Sequence, residues 1–551
     1  MPISQPLCVT PLADLLVRSA AAHPDRKALV MPDFQLTYAE LLARARIVAR
    51  GIAALGVEQR GHVGILANNS EELVCSLFGT WLADCVAVPL NARHKPHELG
   101  YIIEDAELDL LLTTARDTSY SDFPAILAAA LPGLEDAAEP SALALSDVPG
   151  LKAVVVLAGE ARRGTLGPGP FEALAAEVAD DEVEARRMGV RLRGPAAILY
   201  TSGTTSNPKG CVLSHEALSR GPVDRAGGRL RVHDHDVTWG GGPLFHIGSL
   251  GPFIGAIGTA GTYVTDLVFD PGRALDLMEA EGVTVAWPWF PAIMQPILDH
   301  PRFDASRLPR LGKALIIAPE PLVARAQAML PHTEFLQACG MTETAGIFAI
   351  SGADDSRADK AQLQGRPVPG VSVRIVDPET GADLAPGEMG EIWVRGYCTL
   401  DRYHNSPDKT DESIDKKGWF RTGDLYERFA DGQLKFCGRL KDMLKVGGEN
   451  VAAVEVESYI ASHPGVLTVQ VVGRPDPRFD EVPVAFVEAQ SGAELDAEAV
   501  IAFCTGQIAR YKVPRAVHFV APGEWPMSLT KIDKRALRAL AAQSGRAETN
   551  G

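Results

Sequence analysis

The chain has 551 residues, 46% apolar and 22% charged, with a formal net charge of −17. That length exceeds one ordinary domain and suits roughly three or four core-sized units. The acidic balance argues against a general nucleic-acid binder but leaves room for local cationic sites that take anionic substrates. Eight cysteines (Cys8, Cys75, Cys85, Cys211, Cys339, Cys398, Cys437, Cys504) are scattered without a CxxC pair. They read as reduced thiols of a cytoplasmic protein rather than as a disulfide frame or a zinc site. The N-terminus lacks a basic segment followed by a long apolar one, and no window approaches the roughly 18 apolar residues of a membrane span. No transmembrane segment and no nucleic-acid partner are expected.

From the N-terminus, Leu12, Leu15, Leu16 and Ala20 recur at helical spacing. Leu41, Leu42, Ile47 and Ile52 do so again before Gly56 ends a second helix. HVGILANN predicts a buried strand, EELVCSLFGTWLADC a helix, CVAVPL a strand, and YIIEDAELDLLLTT another helix and strand. This alternation points to parallel α/β layers. Pro124 to Gly150 is Ala- and Pro-rich and reads as a peripheral helix and loop; AVVVL and then AAIL are further strands, and Ser214 is placed to cap a helix. ALIIAPEPL and EFLQACGMTETAG are two more strand-to-loop transitions. After Gly365, short β runs divided by Gly, Pro and Asp turns predict a small β-subdomain, with GWFRTGDLYE between them. The charged, glycine-rich segment GRLKDMLKVGGEN interrupts that pattern, and the last hundred or so residues alternate helix and strand, enough for a small domain of their own.

Four segments carry chemistry. YTSGTTSNPKG, Tyr200 to Gly210, gathers glycines, hydroxyls and one lysine between a strand and a capped helix. Free backbone N–H groups, hydroxyls and a cation suit a polyphosphate, although the spacing is not that of a Walker loop and such a stretch reads equally as a polar surface turn. QACGMTETAG sets Gln337, Thr342 and Glu343 after a strand; a carboxylate there suits Mg²⁺ against phosphate oxygens, or simply the start of a helix. FRTGDL sets Asp424 in a tight Thr-Gly turn, able to accept both hydroxyls of a ribose. PMSLTKIDKRALR holds Lys531, which alone would be a solvated charge.

Together, in this order, these segments resemble the adenylate-forming superfamily of acyl- and aryl-CoA synthetases, adenylation domains and beetle luciferases. The resemblance spans nearly the whole chain: LTYAELLARA, VGILANNSEEL, AVPLNAR, the phosphate loop, PLFHIGSL, GMTE, GRP, TGD, GRLKDMLKVGGEN and the final lysine. The match looks closest to AMP-forming acyl-CoA ligases. It implies a large N-terminal AMP-binding domain of layered α/β subdomains plus the β-subdomain over residues 1–438. A hinge at 439–442 and a small mobile α+β C-terminal domain at 443–551 follow. It also implies ATP and CoA as co-substrates with Mg²⁺, and a small carboxylic acid as the partner; the oligomeric state stays open, a homodimer included.

The implied roles run position by position. Thr201, Ser202, Gly203, Thr204, Thr205 and Lys209 wrap the ATP phosphates, and Thr201 and Glu343 hold Mg²⁺. Asp424 and Arg439 fix the ribose. Ala318, Glu320, Cys339, Gly340, Met341 and Thr342 lie along the adenine and acyl sites, and His246 beside the acyl carboxylate. Lys531 grips that carboxylate and the α-phosphate. Lys441 is the hinge, and Lys445, Gly447, Gly448 and Glu449 enter the site for thioester formation. Four positions depart from the family pattern: Ser206 replaces a glycine, Cys339 an aromatic residue, and Ile317-Ala318 a small pair before Pro319. Trp239, Phe245, Ile247, Trp287, Trp289 and Phe290 are pocket candidates that read equally as core. Lining a pocket, they favour an apolar acid: aromatic, alicyclic or medium- to long-chain. An acyl-AMP ligase that loads a carrier protein and a non-catalytic nucleotide-binding relative are the alternatives; retention of Lys209, Glu343, Asp424 and Lys531 weighs against the second.

Overall fold

The computed structural model describes residues 9–116, 120–201, 208–446, 449–476, 478–528 and 531–549. Two seven-stranded sheets form the body. In the first, His62–Leu66 lies between Val86–Pro89 and Leu110–Thr113, Ala153–Val156 extends one side, and Pro195–Thr201 the other, all parallel. Lys209–Ser214 and then Arg402–Tyr403 are added antiparallel at the edge. In the second, Val237–Gly240 is flanked by Val285–Trp289 and Thr262–Val264. Lys313–Ile316 and Glu334–Leu336 continue one side, and the hairpin of Lys27–Met31 with Phe34–Thr37 the other.

Helices fill the space between the sheets. In Glu71–Leu82 every residue from Glu72 onward is buried, and in Ile247–Gly258 every residue from Ile247 to Ile257 is buried. Helices apolar all round belong in an interior, and these two sit where both sheets contribute side chains: Ile65, Leu112 and Leu199 from one, Leu29 and Tyr263 from the other. The outer faces pack separately. Leu66, Leu111 and Val154 meet Leu99, Ile102 and Leu127, while Ala286, Ala314 and Ile316 meet Leu275, Met278 and Val323. The order of layers is therefore helix, sheet, helix, sheet, helix, as parallel crossovers require.

The β-subdomain is the antiparallel sheet Val371–Val376, Met389–Gly396, Phe420–Arg428 and Leu434–Arg439. Its core takes Cys339, Phe348 and Ala349 from the hairpin of Ala338–Met341 with Gly346–Ile350, which ties it to the main body. One expectation is corrected here. Thr422-Gly423-Asp424 is not a tight turn but lies inside the strand Phe420–Arg428. Trp393 pairs with Arg421 and Glu391 with Leu425, so three residues oppose Ile392 alone. Gly423, at φ 69, absorbs the bulge, and its N–H bonds Glu391 Oε1 at 2.8 Å instead of closing a turn. Beyond it, the strands Met443–Val446, Glu449–Ala452, Asp480–Ala489, Val466–Asp476 and Ala516–Phe519 form a separate sheet. Its main core runs from Leu444 through Val451, Ile460 and Val487 and, among the described residues, draws none from before Leu444.

Candidate active site

The hairpin that carries the glycine-rich loop fixes both of its ends. Thr201 and Lys209 are cross-strand partners, which sets them side by side at the ends of their strands. Ser202, Gly203, Thr204, Thr205 and the departure Ser206 lie outside the described residues. From the next strand at that edge, Tyr403 reaches across. Its ring lies 5.2 Å below the Lys209 ammonium, and its hydroxyl donates to Glu343 Oε1 at 3.1 Å. Tyr403 is buried, and burial, then the Glu343 charge, push its phenol well above the ordinary value, so it stays a donor. The neighbouring Cys211 thiol is raised the same way, by burial first and Glu343 next.

Glu343 sits in the single 3₁₀ turn Thr342–Thr344, not in a regular helix. Thr344 locks that turn: its hydroxyl accepts from Met341 N–H at 3.1 Å and donates to Gly346 O at 2.7 Å. Ala345 at φ 48 and Gly346 at φ 90 then reverse the chain. Below it, the buried Gln337 amide donates to Ala318 O at 2.9 Å and Ala361 O at 3.1 Å, stitching the Ala318 loop beside Ala338–Met341. Glu320 Oε1 accepts from Gln362. The side chain of Cys339 is 4% exposed and packs with Phe348, Ile375 and Tyr426, because strand alternation turns it into the β-subdomain core. Gly340 and Met341 follow it in the same strand.

Asp424 and Arg439 are cross-strand partners, with Nε to Oδ1 at 3.2 Å. Asp424 is buried while Arg439 is half-buried, so the pair presents its charge at the edge of the β-subdomain sheet. Lys441 lies in the 3₁₀ turn Leu440–Asp442, clamped by Arg538, whose guanidinium donates to Lys441 O at 3.3 Å and Asp442 Oδ1 at 2.6 Å. Lys445 and Glu449 are exposed on the following hairpin, where Lys445 N–H bonds Glu481; Gly447 and Gly448 lie outside the described residues. Lys531 occupies the short strand Lys531–Ile532, paired with Met527–Ser528, and its side chain lies outside the described atoms. Cys437, two residues before Arg439, is the one half-buried thiol among the described cysteines, the rest being buried.

His246 is the N-cap of Ile247–Gly258. Its Nδ1 accepts from Gly248 N–H at 3.1 Å, which leaves Nε2 as the ring nitrogen able to donate. The loop before it is held by Asn69, 4% exposed, whose carbonyl accepts from Leu244 N–H at 2.8 Å. Its amide donates to Gly242 O, Thr265 Oγ1 and Asp266 O, each at 3.1 Å. Sequence reading missed Asn69 and Tyr403 as individual residues, although the ANN run and the phosphate hairpin contain or adjoin them.

The six apolar candidates do not share one wall. Trp239 is in register with Ala286 and packs on the outer face of its sheet, whereas Trp287 and Trp289 project from the opposite face with Leu315 and Leu336. Phe245 packs against the other sheet's outer core, and Ile247 enters the layer between the sheets. Trp287, Trp289 and Phe290 form one aromatic run, with ring centroids 5.2 and 6.1 Å apart. Trp289 adopts φ 53, a left-handed conformation that costs a bulky residue about 1–3 kcal/mol. Its indole ring and His246 meet over Gly248: a Cβ there would lie 3.5 Å from the indole and 3.2 Å from His246 Nδ1.

Among the described residues no helix is long and apolar enough to cross a membrane. The sequence profile of the AMP-binding enzyme family matches residues 16–404, and that of the AMP-binding enzyme C-terminal domain matches residues 455–529. A putative acyl-CoA synthetase, YngI, of Bacillus subtilis (strain 168) is 32% identical over 95% of this chain and 96% of its own length. An indoleacetate–CoA ligase of Aromatoleum aromaticum is 32% identical over 97% and 98%. The crystal structure of the anthranilate CoA ligase AuaEII in complex with anthranoyl-AMP superimposes with a TM-score of 0.84 at 26% identity, covering 98% of this chain and 99% of that one. The chain belongs to the AMP-binding enzyme family, among its ATP-dependent, AMP-forming acyl-CoA ligases.

Proposed function

We propose that this ligase activates an apolar carboxylic acid, aromatic, alicyclic or of medium to long chain, at the edge where Thr201, Lys209, Tyr403 and Glu343 meet. That convergence is the observation that carries the reading. The acid's carboxylate oxygen attacks the α-phosphorus of ATP, the bond to the bridging α–β oxygen breaks, and pyrophosphate leaves. The thiol sulfur of CoA then attacks the acyl carbon, its proton is lost, and AMP departs with the former carboxylate oxygen. Positioning and charge neutralisation supply most of the acceleration in such displacements.

Within that scheme Lys209 and the loop ahead of it hold the phosphates, and Asp424 with Arg439 holds the ribose. His246, its Nδ1 taken by the Gly248 N–H, offers Nε2 to the acyl carboxylate. Trp287, Trp289 and Phe290 receive the apolar body. Thr201 and Glu343 would hold Mg²⁺: the Glu343 carboxylate stands at the Lys209 edge through Tyr403, and this cation commonly takes one or two carboxylates beside phosphate oxygens. Bound there, it would neutralise phosphate charge. Lys531 serves adenylation and the Lys445–Glu449 hairpin thioester formation. Residues 1–438 and 443–551 act as two bodies about the 439–442 turn, in keeping with the separate core after Leu444. The setting is cytoplasmic.

ATP–pyrophosphate exchange across a panel of acids, followed by AMP release with and without CoA, tests this. Exchange with an apolar acid and CoA-dependent AMP release are expected. Exchange without any effect of CoA would point instead to loading of a carrier protein, and no exchange with any acid would reject the reading.

A further inference from the structure

The helix His215–Asp224 contains Pro222 and passes directly into a π-helical turn, Arg225–Arg229. A proline removes a helical N–H, and π turns of this kind recur where a helix serves a site. Arg225 opens the turn and is only 5% exposed. Its Nη1 donates to Ile347 O at 3.1 Å. Its Nε has no hydrogen-bond partner, and no carboxylate forms an ion pair with it, among the described residues. Burial pulls the guanidinium pKa down, though a guanidinium stays charged at any working pH. A buried cation with one edge of its fork unused is costly unless something completes it.

Arg225 lines a narrow cleft together with Thr238, Leu230, Gly251, Gly255 and Trp287, with about 10 Å³ at its centre, room for one water-sized group. The glycines make the space. A Cβ on Gly255 would stand 3.1 Å from Pro222 O, and one on Gly251 3.9 Å from Arg225 Nη2. Trp287, in the wall of this cleft, begins the aromatic run toward the proposed acyl site: its ring lies 5.2 Å from that of Trp289, which in turn meets His246 over Gly248. The strand that accepts from Arg225 begins just after the Glu343 turn, so both ends of this path hang on one segment.

We propose that Arg225 determines specificity: its Nε edge binds a second carbonyl-type oxygen, of a ketone or a carboxylate, at the far end of an acid whose apolar body lies along Trp289 and Trp287. This rests on the ligase reading above and narrows its acid to one with an oxygen at each end. A purely hydrocarbon tail would fill the cleft and leave Nε–H unpaired, and sites built to bond a polar substrate group reject analogues that lack it far more strongly than they reject a missing methylene.

ATP–pyrophosphate exchange on a length series of straight-chain acids, each paired with its penultimate-keto and its ω-carboxy counterpart, tests the proposal. At one chain length the wild-type enzyme should favour an oxygenated member by at least about tenfold in kcat/KM. Arg225→Met should bring that ratio close to unity, chiefly by raising KM for the oxygenated acid, with Arg225→Lys intermediate. A wild-type enzyme that treats both members of every pair alike would overturn the proposal with no variant needed. So would a folded Arg225→Met that keeps the preference, since the cleft would then hold water alone. In both cases exchange with plain acids leaves the ligase reading standing; absence of exchange with every acid removes that reading and this one together.

Discussion

Tyr403 joins two charges of opposite sign with one side chain, its hydroxyl on Glu343 and its ring under Lys209. Tyr403→Phe keeps the ring and removes the bond; a hydrogen bond to a charged group is worth about 1.5–3 kcal/mol, so exchange should slow by about tenfold or more. Tyr403→Ala should cost more. An unaltered rate in the Phe variant would reject the role. Asn69 is the second such residue. Asn69→Ala leaves Leu244 N–H and Gly242 O unpaired in a buried place and should lower stability by about 2–3 kcal/mol in denaturant titration. Because the loop to His246 loosens, KM for the acid should rise as well. Thr201, Lys209, Glu343 and Asp424 could be named from the sequence because short local patterns surround them. Tyr403 could not: it lies 60 residues from Glu343, on a two-residue edge strand, and only the sheet brings it there.

At the scale of elements, His215 holds the first helix. It is 1% exposed, and its Nδ1 accepts from Leu12 N–H at 3.3 Å at the start of Leu12–Ala22. Burial pushes its pKa down to about 4 from the ordinary 6.5. The unfolded chain therefore takes up this proton well before the folded one, and stability present above about pH 6.5 is lost as pH falls toward 4. The full loss is about 3 kcal/mol. Tm should fall through that window, and His215→Gln, which keeps an acceptor without the titration, should flatten the slope; an unchanged slope would assign it to other groups. His94 and His404 are depressed by burial too and add with the same sign. Most helices and strands were legible because apolar residues recur at the right period. Thr-Gly-Asp was not, since its composition is that of a turn and only the partner strand shows a bulge. The faces of Trp239 and Trp287 also needed register, because alternation fixes a face only once a neighbour is known.

For the whole molecule, the separate core after Leu444 and the Arg538 clamp on Leu440–Asp442 bear on the two half-reactions. Lys531→Ala should reduce acyl-AMP formation by orders of magnitude yet spare thioester formation from supplied acyl-AMP; equal loss in both would remove Lys531 from adenylation. The separate C-terminal sheet was visible in the sequence as a change of pattern near Gly438, but the clamp was not, because Arg538 lies 97 residues from Lys441.

Cys437 gives this chain a built-in attachment point for an optical probe. The other described thiols are buried, so in a Cys8→Ser background a maleimide dye should couple first at Cys437, four residues before Lys441. Burial raises that thiol's pKa to about 11, so coupling should be slow near neutrality and quicken as the buffer is made alkaline. A fluorophore there sits beside the Leu440–Asp442 turn, so its emission should change during turnover under the proposed rotation of the two bodies about that turn, and constant emission would reject that rotation.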